Sequence, residues 1–118
     1  MKAKILLIDD DIELCEELNE ILTDEGYTVN LIHDGQEGYN RIKFGSYDLV
    51  MLDLKIPVLT GIELLRKLSA EKAKTKILVL TGRPINKSIA TELSATQEED
   101  NFIINNSAAI LNKPYVIP

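Results

Sequence analysis

Residues 5–11 read ILLIDDD: four apolar residues, Ile5 to Ile8, run straight into the carboxylates Asp9, Asp10 and Asp11. A run that is apolar on consecutive positions, rather than alternate ones, marks a strand covered on both faces. That is the habit of parallel sheets wrapped in helices. Three like charges at the end of such a strand repel one another wherever water is scarce. Either they cap the helix that follows, or something positive sits among them.

The same texture recurs along the chain. Residues 3–9 (AKILLID), 28–32 (TVNLI), 47–53 (YDLVMLD), 76–81 (KILVLT) and 108–112 (AAILN) are five β-rich runs. The stretches between them have helical spacing. Leu14, Leu18, Ile21 and Leu22 fall on one face, with Cys15 beside them. Asp10 with Glu13 has capping-box spacing at the start of that helix, and Gly26 suits its stop. Asp34 with Glu37 repeats the device before a second helix that Gly45 follows, and Thr60 with Glu63 opens a third. Ile62, Leu65 and Leu68 are the expected inner face of the third. Pro84 in a first turn predicts a fourth helix, with Ile85, Ile89 and Leu93 facing inward. The order β-α-β-α-β-α-β-α-β predicts an α/β doubly wound sheet. Ligands of such sheets bind outside the carboxyl ends of the strands.

Composition narrows the function. The chain has 118 residues, a length that suits one domain, with 45% hydrophobic and 27% charged residues. No apolar run approaches the roughly 20 residues of a membrane helix. The early acidic residues do not suit a secretory signal, so a cytoplasmic address is expected. Cys15 is the only cysteine, which excludes an intramolecular disulfide and a cysteine-based metal site. A net charge of −6 argues against a direct nucleic-acid partner, and no membrane partner is expected either.

The strand ends carry the chemistry. Asp9 ends the first run with Asp10 just after it, Asp53 ends the third, Thr81 ends the fourth, and Lys113 stands just past the fifth. Helix caps account for Asp10 or Asp11 equally well. Asp53 ends the apolar run LVML instead, with Pro57 and Gly61 following. Converging carboxylates call for a hard cation with oxygen ligands, and Mg²⁺ is the natural one. A cation, an ammonium and a hydroxyl around one carboxylate make a place for a phosphoryl group.

On LLIDDD, YDLVMLDLKIPVLTG, ILVLTG and ILNKPY, in that order, the chain resembles the response-regulator receiver domain of two-component signalling. Asp53, Pro57 and Gly61 match the family's pattern D-x-x-x-P-x-x-x-G. The resemblance implies a flavodoxin-like five-stranded parallel sheet in the order 2-1-3-4-5, forming one receiver domain over residues 1–118. It implies that Asp53 is the phosphoacceptor, and that Asp9, Asp10, Asp53 and the main-chain carbonyl of Lys55 bind Mg²⁺. Thr81 and Lys113 are then the phosphate-binding switch residues, and Lys113-Pro114 carries a cis peptide bond. The implied partners are a sensor histidine kinase or phosphotransfer protein and a downstream protein target. Autocatalytic phosphoacceptance and slow self-dephosphorylation are the only enzymatic activities the resemblance implies.

Three departures stand out. Ile110 occupies the position, three residues before the lysine, where many receivers carry an aromatic. Thr81 and Lys113 lie 32 positions apart, more than the family normally uses, which predicts extra helix within residues 95–107. No complete fifth helix follows Lys113. Apolar side chains of strands one, four and five are then expected to face water, unless a homodimer or a longer chain covers them. These departures keep open a pseudo-receiver, a binding module that works without phosphorylation. A haloacid-dehalogenase-type phosphatase wants an acid where Lys55 stands, and no phosphate-cradling loop of a flavin binder follows the first run. His33 is expected in a surface loop, Tyr39 in packing and Cys15 as inert. Lys55 and Arg83 are expected to flank the site.

Overall fold

The computed structural model describes residues 2–88 and 92–113. Its elements are β1 (Lys4–Ile8), α1 (Ile12–Asp24), β2 (Thr28–Ile32), α2 (Gly35–Phe44), β3 (Leu49–Asp53), α3 (Gly61–Ala70), β4 (Ile77–Thr81), α4 (Ala95–Asn106) and β5 (Ala109–Asn112). The five strands form one parallel sheet in the order β2-β1-β3-β4-β5, as expected.

The consecutive apolar runs became the central strands. In β1, Ile5 to Ile8 are all buried, and β3 and β4 are nearly as dry. One sheet face packs Leu6, Ile8, Val50, Leu52 and Val79 against α2, α3 and Ile103 of α4. The other packs Ile5, Leu7, Met51 and Leu80 with Cys15 and Leu18 of α1. That second cluster corrects one expectation. Strands one and four do not bare their apolar side chains: Ile5, Leu7 and Leu80 are at most 3% exposed. Exposure is confined mainly to β5, where Leu111 is 40% exposed. Ile110 is half-buried against the first cluster, as a core strand residue would be.

Helix ends follow local chemistry with one shift. Thr60 and Glu63 make the full reciprocal capping box on α3, and Asp34 accepts from the Glu37 N–H on α2. For α1 the cap is Asp11, which accepts from the Leu14 N–H, rather than Asp10. The shift matters, because it leaves Asp10 free of capping duty. Gly26, at φ +96°, takes the left-handed turn that ends α1 without the strain a Cβ brings. Inward faces shift slightly as well. Ile21 is partly exposed, and in α3 Leu64 is buried along with Leu65 and Leu68, whereas Ile62 is only half-buried.

The fourth helix is where the expectation fails. Residues 84–88 are irregular, Ile89 lies outside the described residues, and Leu93 precedes the helix. The helix is instead α4 within the surplus segment, begun by a capping box between Ser94 and Gln97. Side chains of α4 take over the backbone groups of the irregular stretch. Asn101 accepts from the Ser88 N–H at 2.8 Å and donates to its carbonyl at 3.0 Å. The Lys113-Pro114 peptide and the segment of a fifth helix lie outside the described residues.

Candidate functional site

Register builds the site. The last β1–β3 pair is Ile8 with Leu52, so the next residues, Asp9 and Asp53, stand side by side at the carboxyl end of the sheet. On the other flank Thr81 pairs with Asn112, and the Lys113 N–H donates to the Thr81 carbonyl at 2.7 Å. Lys113 is thereby pinned one position past the edge, where its side chain reaches back across β4 and β3. Its ammonium lies 2.8 Å from Asp9 Oδ2 and 3.5 Å from Asp53 Oδ2.

The Asp53 side is held by a close backbone approach. The Gly61 N–H donates to the Leu54 carbonyl at 3.0 Å. A Cβ on Gly61 would lie 2.4 Å from the Asp53 carbonyl oxygen, so α3 can start this close to β3 only with glycine there. The Asp9 backbone is fixed from three directions. Its N–H donates to Ile32, and its carbonyl accepts from Cys15 Sγ at 3.3 Å and from His33 Nδ1 at 2.9 Å. Bonding to a carbonyl makes Nδ1 the protonated ring nitrogen of His33. His33 is exposed, as expected of a loop residue, yet it touches the site's backbone. Spacing within the chain carries no signal for that contact.

Asp9, Asp10 and Asp53 each present a carboxylate oxygen, and these oxygens lie within 4.8 Å of one another. Asp9 and Asp53 are buried and Asp10 is exposed. Burial, then the charge of Asp9, pushes the Asp53 carboxyl up to about 6, against the pull of Lys113 and the Lys55 N–H. Burial works against the Lys113 ammonium, but the bond to Asp9 and the charge of Asp53 hold its proton above the ordinary lysine value. The carboxylates are short of positive charge even with Lys113 beside them. An all-oxygen cup of this kind, open on the Asp10 side, fits a hard divalent cation that keeps part of its water.

Beside Asp53 lies a cleft of about 290 Å³, lined by Leu54, Lys55, Thr60, Ile62, Thr81, Gly82, Arg83 and Glu99. The Thr81 hydroxyl donates to the Arg83 carbonyl and accepts from the Arg83 N–H, both at 3.2 Å. So Asp9, Asp10, Asp53, Thr81 and Lys113 converge at one end of the sheet, and Lys55 and Arg83 flank them. What spacing alone did not foretell is the pair of α4 acids, Glu99 and Asp100, that hold Arg83. Tyr39 is buried and donates to Glu71, away from this site.

A doubly wound parallel sheet with an acid cup and a reaching lysine at its carboxyl edge defines a signalling receiver. The chain belongs to the response regulator receiver domain family, whose model matches residues 5–103. That family serves two-component signalling and is not one of conventional enzymes. The chain is 38% identical over 82 residues to the uncharacterized transcriptional regulatory protein YkoG of Bacillus subtilis, covering 70% of this chain and 36% of that one. It is 38% identical over 79 residues to the cell cycle response regulator CtrA of Brucella ovis, covering 67% and 34%. The chain thus spans about a third of the length of these relatives. Among solved structures, a CheY-like receiver domain protein from Methanospirillum hungatei superposes with a TM-score of 0.79 at 28% identity, over 98% of this chain and 85% of that one. The response regulator TrrA of Thermotoga maritima, in complex with Mg²⁺ and a beryllium fluoride, gives 0.74 at 28% identity, over 98% and 89%. Among the described residues no helix is long and apolar enough to cross a membrane.

Proposed function

We propose that Asp53 accepts a phosphoryl group from a phosphohistidine of a sensor kinase or phosphotransfer protein, and so switches a surface that a downstream protein reads. A carboxylate oxygen of Asp53 attacks phosphorus in line. The O–P bond forms as the N–P bond breaks, and the electron pair stays on the imidazole nitrogen. A carboxylate is a modest nucleophile, so the chain contributes chiefly position and charge. The Lys113 ammonium, already shared between Asp9 and Asp53, pairs with the incoming phosphoryl oxygens. The Thr81 hydroxyl donates to one of them after giving up its bond to Arg83.

Asp9, Asp10, Asp53 and the Lys55 carbonyl are the groups that hold Mg²⁺. When bound, that ion neutralises charge that builds on the phosphoryl oxygens. The carrying observation is the convergence of three carboxylates with one ammonium at 2.8 and 3.5 Å. Asp9 and Lys113, 104 positions apart in the chain, meet at the acid that the loop pattern marks.

Incubation with acetyl phosphate and Mg²⁺, followed by intact mass, tests the proposal. A gain of one phosphoryl group is expected, with none for Asp53→Asn and none when the metal is chelated. Modification of Asp53→Asn to the same extent as the wild type, or no modification of either, overturns it.

A further inference from the structure

Four polar or charged side chains are buried among the described residues: Asp9, Asp53, Thr81 and Asp100. Three belong to the site above. Asp100, on α4, has no part in that chemistry, and a buried carboxylate is costly unless it is paired. Its partner is Arg83, whose Nη2 lies 2.7 Å from Asp100 Oδ1. The Asn86 N–H donates to the second oxygen at 3.4 Å, and Glu99 stands 3.6 Å from the same guanidinium nitrogen. The bond to Arg83 holds the Asp100 carboxyl below the usual carboxylate range, so it stays charged at neutral pH.

Arg83 is also a wall of the cleft that opens on Asp53. Its backbone is bonded both ways to the Thr81 hydroxyl. A long cation therefore lines the same cleft as the acceptor carboxylate and is held by a buried acid. A phosphoryl group on Asp53 brings additional negative charge to that cleft, and a guanidinium pairs strongly with phosphoryl oxygens.

We propose that Asp100 is a positioning residue for the phosphoryl pocket: it holds the Arg83 guanidinium on α4, in competition with the phosphoryl group on Asp53. This inference rests on the phosphoacceptor reading and deepens it. Linkage makes the competition reciprocal, so whatever Asp100 gains by keeping Arg83 is lost to the bound phosphoryl group. The paired bonds between Ser88 and Asn101 anchor the same segment to α4 independently. Releasing the guanidinium thus leaves the segment in place.

The test is the apparent affinity for beryllofluoride, a phosphoryl mimic, in saturating Mg²⁺, followed by NMR on the full chain. Asp100→Asn is expected to tighten binding about three- to tenfold, through the freed charge. In an Arg83→Gln background the same substitution is expected to change nothing. Glu99→Gln, at a partly exposed position, is expected to shift affinity in the same direction by about twofold, again only with Arg83 present, and it reads the coupling if Asp100→Asn does not fold. Tightening that persists with Gln at position 83, or wild-type affinity in both acid variants, overturns the inference alone. A wild type that takes up no beryllofluoride overturns the phosphoacceptor reading and the inference with it.

Discussion

The Lys113 ammonium donates to Asp9 Oδ2 at 2.8 Å, in a pair that joins residues 104 positions apart. Asp9 is fully buried and Lys113 is only about a quarter exposed, so each is the other's chief relief from burial. Lys113→Ala leaves the Asp9 carboxylate with other acids and no cation. A loss of about 2 kcal/mol at neutral pH is expected, below the range for a fully buried pair because the lysine still sees water. Urea unfolding with and without Mg²⁺ checks it. Added Mg²⁺ should recover part of the loss, because either cation answers the same excess of charge.

Asp53 should make stability fall as pH rises. Its carboxyl is pushed from an ordinary 3.8 up to about 6 by burial and by Asp9. Between those values the folded chain holds a proton that the unfolded chain has lost, so each step up in pH favours unfolding. The cost is absent below about pH 4 and complete above about pH 6. Asp53→Asn should therefore stabilise the metal-free chain by about 2 kcal/mol at pH 7, and the gain should vanish near pH 4. Denaturation midpoints of both chains across that range check the sign. Mg²⁺ affinity of the wild type should weaken as pH falls through the same window, since the proton and the metal compete for one carboxylate.

Much of this site was legible in local pattern because strand ends are local features. Apolar runs that stop at Asp9, Asp53 and Thr81 place those residues at one sheet edge as soon as the strands are parallel. The pairing of Thr60 with Glu63 likewise needs only neighbours. The fourth helix shows where locality fails. Ile85, Ile89 and Leu93 have helical spacing, but the backbone groups at Asn86 and Ser88 find partners on Asp100 and Asn101 instead. Bonds supplied from 13 or 14 residues away leave no trace in periodicity. The capping pattern of Ser94 with Gln97 was the local sign of where the helix does begin. The meeting of Arg83 with Asp100 depends on that misplaced helix, which is why it was not foreseen.

Two glycines near Asp53 should differ sharply in their tolerance of alanine. A Cβ on Gly61 meets backbone at 2.4 and 2.6 Å, which a flexible side chain cannot relieve. Gly61→Ala should cost about 2 to 3 kcal/mol and loosen the Asp53 loop, with Mg²⁺ affinity lowered in step. A Cβ on Gly82 meets nothing within 4 Å. Gly82→Ala should stay within about 0.5 kcal/mol of the wild type. Thermal melts of the pair check the contrast, and equal losses would refute it.

The Cys15 thiol should be silent in the native chain. It is fully buried, and burial first, then the charges of Asp9 and Asp11, push it up to about 12. Only the thiolate reacts with disulfide reagents, so its native fraction at pH 8 is very small. Labelling should proceed at the rate of opening and rise sharply in denaturant. Rapid native labelling would mean that the α1 contact with β1 opens readily.

Val58 is the one place where the loop after Asp53 departs from relaxed backbone with a bulky side chain. It lies at φ 71°, and the residue is 80% exposed. A β-branched residue at positive φ is strained, and so open a position returns little burial in exchange. Val58→Gly removes the clash but frees the unfolded chain as well, which costs part of the gain. Val58→Asn tolerates the left-handed region and adds less unfolded-state freedom. Val58→Asn should therefore stabilise the chain by about 0.5 to 1 kcal/mol, and more than Val58→Gly does. Chemical denaturation separates the two, and the rate of modification by acetyl phosphate tests whether the strain bears on Asp53. Unchanged rates in the stabilised chain would make the strain incidental, whereas a slowed rate would tie it to how Asp53 is presented.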